Sequence, residues 1–322
     1  VGMSQSEAIA DAVRVLRRGG LVAVPTETVY GLGADAESEA AILRVFAVKR
    51  RPTSHPLIVH LGAASWLPLW ARKVPPAARK LAEAFWPGPL TLVLPRSGRV
   101  LDAITGGQDT VALRVPAHPL MRQLLAAFGR GIAAPSANRF GKVSPTTAEH
   151  VRSELGEEVD FVLDGGPCTI GIESTIVDLS GGSATVLRPG GVPQEELERV
   201  LGQPLPFAGR SNIRAPGLFP SHYAPSAQVV LAATSEVPGS LDSLRSAGRK
   251  VALISPQSIP LPESVRQFLL SSDEAAFARA LYATLREVDR QGFDAVVVVP
   301  PKDVGLGAAV RDRLIKAAAK RP

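Results

Sequence analysis

Apolar residues along this chain recur with two different periods, and the switching between them sketches the fold. Ile9, Val13 and Leu16 share one face of a helix over residues 8–18, which Gly19-Gly20 ends. Helical spacing returns over 40–49, limited by Pro52, and again over 77–85, 120–128 and 147–155. Between these lie short apolar runs of strand length at 21–24, 57–61, 90–94, 111–115, 131–134, 161–163, 174–179 and 185–188. Strands outnumber helices. This part therefore predicts an α/β fold on a twisted, mixed, open sheet rather than a regular alternation.

The pattern lapses over 202–226, which is rich in Pro, Gly, Ser and aromatic residues. Aperiodic segments of that length are functional connectors or disordered. Periodicity then restarts, with strands at 229–233, 250–255 and 295–299 and helices at 274–291 and 306–320. Such alternation predicts a small C-terminal parallel α/β domain of Rossmann-like build. The expected division is a catalytic domain over 4–207, a linker or lid over 208–227 and the small domain over 228–322.

Charge adds one constraint. The chain has 36 Lys and Arg against 30 Asp and Glu, a net +6. That surplus suits a phosphate-bearing partner, and equally a soluble protein that is merely basic, because net charge specifies no site. Cys168 is the one cysteine, which excludes an internal disulfide and a multi-cysteine zinc site. In Gly165-Gly166-Pro167-Cys168 it is expected to be a small packed residue. No apolar run approaches the roughly 20 residues that span a bilayer. Asp11 and Arg14 interrupt the N-terminal run, so a secretory leader is not expected. The expectation is a cytoplasmic protein with no membrane contact.

Five constellations carry candidate chemistry. Pro25-Thr26-Glu27-Thr28-Val29-Tyr30-Gly31-Leu32-Gly33 follows a strand, where open α/β sheets place ligands, although it also reads as a polar turn punctuated by glycine. Lys49-Arg50-Arg51-Pro52 ends a helix. Its cations either complement the helix dipole on a solvated face or clamp phosphate. His55 and His60 lack the third ligand a zinc site needs. Alternation puts Thr110, Ala112 and Arg114 on one face of a strand, so Arg114 needs an anionic partner, either an internal carboxylate or a ligand. Ala134-Pro135-Ser136-Ala137-Asn138 with Gly141 to Thr146 forms a loop of small polar residues before a helix. That is a place for an anion, while Thr146 with Glu149 also reads as a capping box. Last, Glu173-Ser174-Thr175-Ile176-Val177-Asp178 and Leu187-Arg188-Pro189-Gly190 bring hydroxyls and a cation to one rim if their strands pair antiparallel.

In order and spacing, these motifs resemble the YrdC-like threonylcarbamoyl-AMP synthase family. The likeness covers about residues 8–201, and the linker Ala215-Pro216-Gly217-Leu218-Phe219-Pro220-Ser221-His222-Tyr223-Ala224-Pro225 resembles that of the longer, two-domain form. The resemblance implies synthesis of threonylcarbamoyl-adenylate and pyrophosphate from L-threonine, bicarbonate or CO2, and ATP. The product would pass to the machinery that makes N6-threonylcarbamoyladenosine in tRNA. It implies that Thr28, His60, Arg114, Ala134 (through its backbone) and Ser174 contact threonine. Lys49 and Arg51 would hold ATP phosphates, with His55, Thr110, Ser136, Asn138, Ser144, Arg188 and Tyr223 also at the nucleotide. His55 stands where the family often has Asn, and Leu218-Phe219-Pro220 replaces a segment that often reads Met-Lys-Tyr.

The chemistry fits those residue types. Carbamate and triphosphate are both anionic, so cations must offset their repulsion and align them, and no acid–base pair is required. Mg2+ would ride on the ATP phosphates, since no carboxylate cage is visible. The rival reading is a non-catalytic RNA-binding module, which the basic surplus would also serve. Dispersed cations and scarce aromatics, 5% of the chain, count against it. Direct contact with tRNA is left open.

Overall fold

The computed structural model describes residues 4–207, 213–218 and 222–319. They divide into two compact units. The first comprises Val1–Phe140, Pro145–Thr169 and Glu173–Leu218, and the second Gly141–Ser144, Ile170–Ile172 and Phe219–Pro322. Residues 213–218, which composition groups with the linker, thus fall in the first unit.

The first unit is built on strands β1 (Val22–Val24), β2 (Gly31–Asp35), β3 (Ile58–His60), β4 (Leu90–Pro95), β5 (Thr110–Arg114), β6 (Ile132–Ala133), β7 (Phe161–Val162), β8 (Thr175–Asp178) and β9 (Thr185–Arg188). They form one mixed sheet in the order β7-β1-β2-β6-β3-β5-β4-β8-β9. On one face, Ile9, Val13 and Leu16 of the helix Gln5–Arg17 and Met121, Leu125 and Phe128 of the helix Pro119–Phe128 cover Val22, Val24 and Ile132. The opposite face is packed by the other helices, among them Phe46, Leu81 and Val151 against Leu92 and Leu113.

The two covering helices stop halfway across the sheet. Beyond them Ile58, Val93, Ala112, Ile176 and Leu187 form a separate apolar patch, completed by Ala215 and flanked by Ile213 and Leu218. Among the described residues none from a helix contributes to this patch.

Gly31 to Gly33, which the sequence reading placed in a polar turn, open β2, the second arm of a hairpin with Val24 opposite Gly31. A Cβ at Gly31 would meet Ala134 Cβ at 3.0 Å, and one at Gly33 would meet Ile132 Cγ2 at 3.0 Å. The glycines serve close strand packing, which hides the strand from a reading based on propensity. The cap of the helix Ala148–Leu155 is Thr147, whose side chain accepts from His150 N–H, and the expected Thr146–Glu149 box is not formed. Short helices at Leu67–Trp70, Asp102–Thr105 and Gln194–Leu201 also went unforeseen.

The second unit holds β10 (Gln228–Leu231), β11 (Val251–Ser255), β12 (Arg266–Leu269) and β13 (Ala295–Val298), all parallel, in the order β10-β13-β11-β12. The edge strand β12 and the helix Val237–Ser246 were not foreseen: β12 is too short and exposed to show a pattern, and Pro238-Gly239 mask the helix although Val237, Leu241 and Leu244 share one face. Among the described residues no helix is long and apolar enough to cross a membrane.

Candidate active site on the open half of the sheet

The turn joining β1 to β2 is knotted by Thr26, whose Oγ1 accepts the N–H groups of Thr28 at 3.1 Å and Val29 at 3.2 Å and lies 2.8 Å from Thr28 Oγ1. This fixes Glu27 and Thr28 beside Arg114 at the end of β5. The guanidinium donates from Nε to the Gly88 carbonyl at 3.1 Å and from Nη1 to Thr28 Oγ1 at 3.0 Å. Its Nη2 lies 2.7 Å from Glu27 Oε1, with both side chains buried. Arg114 therefore has an internal carboxylate for its charge, the first of the two sequence readings.

His60 is the register partner of Arg114 on the parallel neighbour β3. Burial, and then the Arg114 charge, push its imidazole down to about 3, so it is neutral at physiological pH. Its Nδ1 is buried with no hydrogen-bond partner among the described residues. Ala134, just past β6, donates its N–H to the Ile58 carbonyl at 3.0 Å and so lies across from the same strand.

The candidate phosphate side is built on the Ser136–Asn138 loop, which is laced to the hairpin: Leu32 N–H donates to Pro135 O at 2.7 Å and Ala137 N–H to Tyr30 O at 2.8 Å. Lys49 and Arg51 are not on a solvated helix end. They are 1% and 7% exposed. The Lys49 ammonium donates to the carbonyls of Ser136 and Asn138, and burial, with the Arg51 charge second, holds it well below the usual lysine range. Arg51 Nη2 donates to Pro56 O at 2.9 Å, and its guanidinium lies 5.8 Å from the Phe140 ring centre. His55 packs on the same ring, centroids 5.3 Å apart, and burial followed by the Arg51 charge lowers it to about 4.

At the far edge Arg188, closing β9, grips the Ser174 carbonyl from Nε at 3.2 Å and from Nη2 at 2.7 Å, and donates from Nη1 to Pro216 O at 3.0 Å. Ser174 lies one residue before β8 rather than opening it, and its Oγ is 2.8 Å from Thr91 Oγ1. Thr110 opens β5 opposite Pro95, half-buried.

Two sequence candidates fall in the second unit. Ser144 is fully buried there. The Tyr223 ring is stacked 6.0 Å from Tyr282 and lies 5.1 Å from the Arg313 guanidinium, with a backbone φ of +60°. Glu27 and Thr91 escaped the sequence reading. Thr91 had a signal, a lone hydroxyl in the run Leu90-Thr91-Leu92. Glu27 had none beyond its place between two threonines. Cys168 is buried, and burial pushes its thiol up to about 12, as for a packed residue. Among the described residues no group of three or more His, Cys, Asp or Glu is arranged to hold a metal ion.

Residues 14–190 match a family described as telomere recombination, and residues 192–319 match one described as threonylcarbamoyl-AMP synthase, C-terminal domain. The threonylcarbamoyl-AMP synthase of Pyrococcus abyssi (strain GE5 / Orsay) is 43% identical, over 96% of this chain and 94% of that one. The protein of the same name in Bacillus subtilis (strain 168) is 37% identical, over 97% and 93%. A crystal structure of P. abyssi Sua5 complexed with L-threonine matches with a TM-score of 0.92 and 41% identity, covering 99% of this chain and 96% of that one. With the likeness extending through both units, the chain belongs to the threonylcarbamoyl-AMP synthase family, in its two-domain form and with that family's enzymatic activity.

Proposed function

We propose that the open half of the sheet joins L-threonine, CO2 or bicarbonate, and ATP into threonylcarbamoyl-adenylate, with release of pyrophosphate. The threonine nitrogen attacks the carbon of CO2 and gives its proton to solvent. A carbamate oxygen then attacks the α-phosphorus, and the bond to the bridging oxygen of the β-phosphate breaks. In this reading Arg114 receives the threonine carboxylate, while Thr28, His60, Ser174 and the Ala134 backbone fix the rest of the amino acid. Lys49, Arg51, His55, Thr110, Ser136, Asn138 and Arg188 serve the nucleotide. Mg2+ carried on the ATP phosphates would screen their charge. The work of the chain is to align two anions and offset their repulsion.

The observation that carries this reading is the register pair His60 and Arg114, buried beside Thr28 on the part of the sheet whose apolar patch holds no helical residue among those described. The product is labile and suits prompt transfer, in the cytoplasm, to machinery that modifies tRNA. The test is pyrophosphate release from Mg-ATP with mass detection of the adenylate. Release that requires both L-threonine and bicarbonate supports the reading. Tight RNA binding with no threonine-dependent release would overturn it in favour of an RNA-binding module.

A further inference from the structure

We infer that Glu27 is a positioning residue for amino-acid recognition: it holds the Arg114 guanidinium in the one orientation that receives the substrate carboxylate. The inference rests on the reading of Arg114 given under Proposed function.

Three separate segments hold the guanidinium: Gly88 at Nε, Thr28 at Nη1 and Glu27 at Nη2, the last at 2.7 Å. Glu27 is itself anchored, its Oε2 accepting the Ala117 N–H at 3.1 Å, two residues beyond Val115 on the continuation of β5. The carboxylate thus bridges the side chain it orients to the backbone just past that side chain's own strand. Oε2 accepts a hydrogen bond, and Oε1 meets Nη2 as a close ion pair without hydrogen-bond geometry, so charge at one oxygen and an acceptor at the other define the position. Glutamine has one acceptor and one donor, and in either rotamer its NH2 faces an N–H group. Burial matters as well. Arg114 and Glu27 are 3% and 6% exposed, so without its counter-charge the guanidinium would turn toward whatever acceptor or water it could reach. The Coulombic partner therefore makes the direction of the remaining N–H groups a property of the empty pocket, before threonine arrives.

The test is Glu27→Gln, with Glu27→Asp as a second variant that keeps the charge and shortens its reach. Threonine and ATP titrations are run on each folded protein. Glu27→Gln should weaken threonine binding about tenfold or more while leaving ATP affinity within about twofold. Glu27→Asp should fall between it and the wild type. In a double-mutant cycle, Glu27→Gln should add nothing to the threonine loss of Arg114→Lys, because both act on one contact. Unchanged threonine affinity in Glu27→Gln, equal losses for threonine and ATP, or additive losses in the cycle would each overturn the positioning role. If Glu27→Gln does not fold, Glu27→Asp decides by the same comparison. Wild-type protein that releases no pyrophosphate in response to threonine would instead sink the reading of the site.

Discussion

Arg188 ties the end of β9 to the segment that follows the first domain's last helix: its Nη1 donates to the Pro216 carbonyl at 3.0 Å while Nε and Nη2 hold Ser174. Ala215, next to Pro216, packs on Ile58, Ala112 and Ile176. Residues 213–218 thus lie on the open half of the sheet, as part of a lid would. We expect Arg188→Ala to loosen this segment, since a hydrogen bond from a charged donor is worth about 1.5–3 kcal/mol. Amide exchange over 213–218 should quicken at least about tenfold and adenylate yield should fall. Unchanged exchange there would show that apolar packing alone holds the segment.

Lys49 is the buried post around which the Ser136–Asn138 loop is wrapped. Lys49→Ala leaves two carbonyls without their donor, at about 1–3 kcal/mol each, so a loss of stability is expected as well as of activity. Its lowered pKa adds a second effect. An amine held below its ordinary value regains a proton when an anion binds beside it. ATP binding should therefore take up a proton wherever the free amine is unprotonated, and ATP affinity should fall as pH rises through that range. Calorimetry in buffers of different ionisation enthalpy reads that proton. Identical heats in all buffers would remove Lys49 from contact with the phosphates.

The imidazole of His60 titrates at about 3 in the folded chain against 6.5 when unperturbed. Between these values the unfolded chain binds the proton and the folded chain does not, so stability falls as pH drops from 6.5 toward 3. The steepest contribution of one such group is about 1.4 kcal/mol per pH unit. His55, lowered to about 4, acts in the same direction. Chemical denaturation of wild type and His60→Asn between pH 7 and pH 4.5 should give a shallower decline in the variant. Parallel curves would mean that His60 is protonated in the folded protein.

Tyr223 combines an unfavourable backbone, φ +60°, with a buried ring against Tyr282 and Arg313. Tyr223→Gly relieves the backbone but empties the ring's place, and Tyr223→Ala does only the latter. Loss of a large buried aromatic costs about 3–5 kcal/mol, more than the strain recovered, so both should destabilise the second unit and alanine the more. Urea titration orders the variants. Wild-type stability in Tyr223→Ala would leave the nucleotide as the residue's whole purpose.

Periodicity carried most of the elements because it is a local property of the backbone. The alternation of Thr110, Ala112 and Arg114 needs only a strand, and the helix at Glu39–Lys49 needs only its apolar stripe and the cap at Ser38. The residue types of the site were legible for the same reason, as motifs at the ends of such elements. What sequence alone determined is therefore the set of pieces and the family they belong to. Partnership was decided elsewhere. The sheet order β1-β2-β6-β3-β5 is not the chain order, and it sets Arg114 beside His60 and brings the β1–β2 turn that carries Glu27 within reach. Lys49 finds its carbonyls 87 and 89 residues away, which turns an apparent surface cation into a buried post. β2 and the cap at Thr147 were likewise settled by neighbours: a glycine strand exists because Ala134 and Ile132 press on it. Contacts so distant along the chain depend on strand order and register, which no local period encodes.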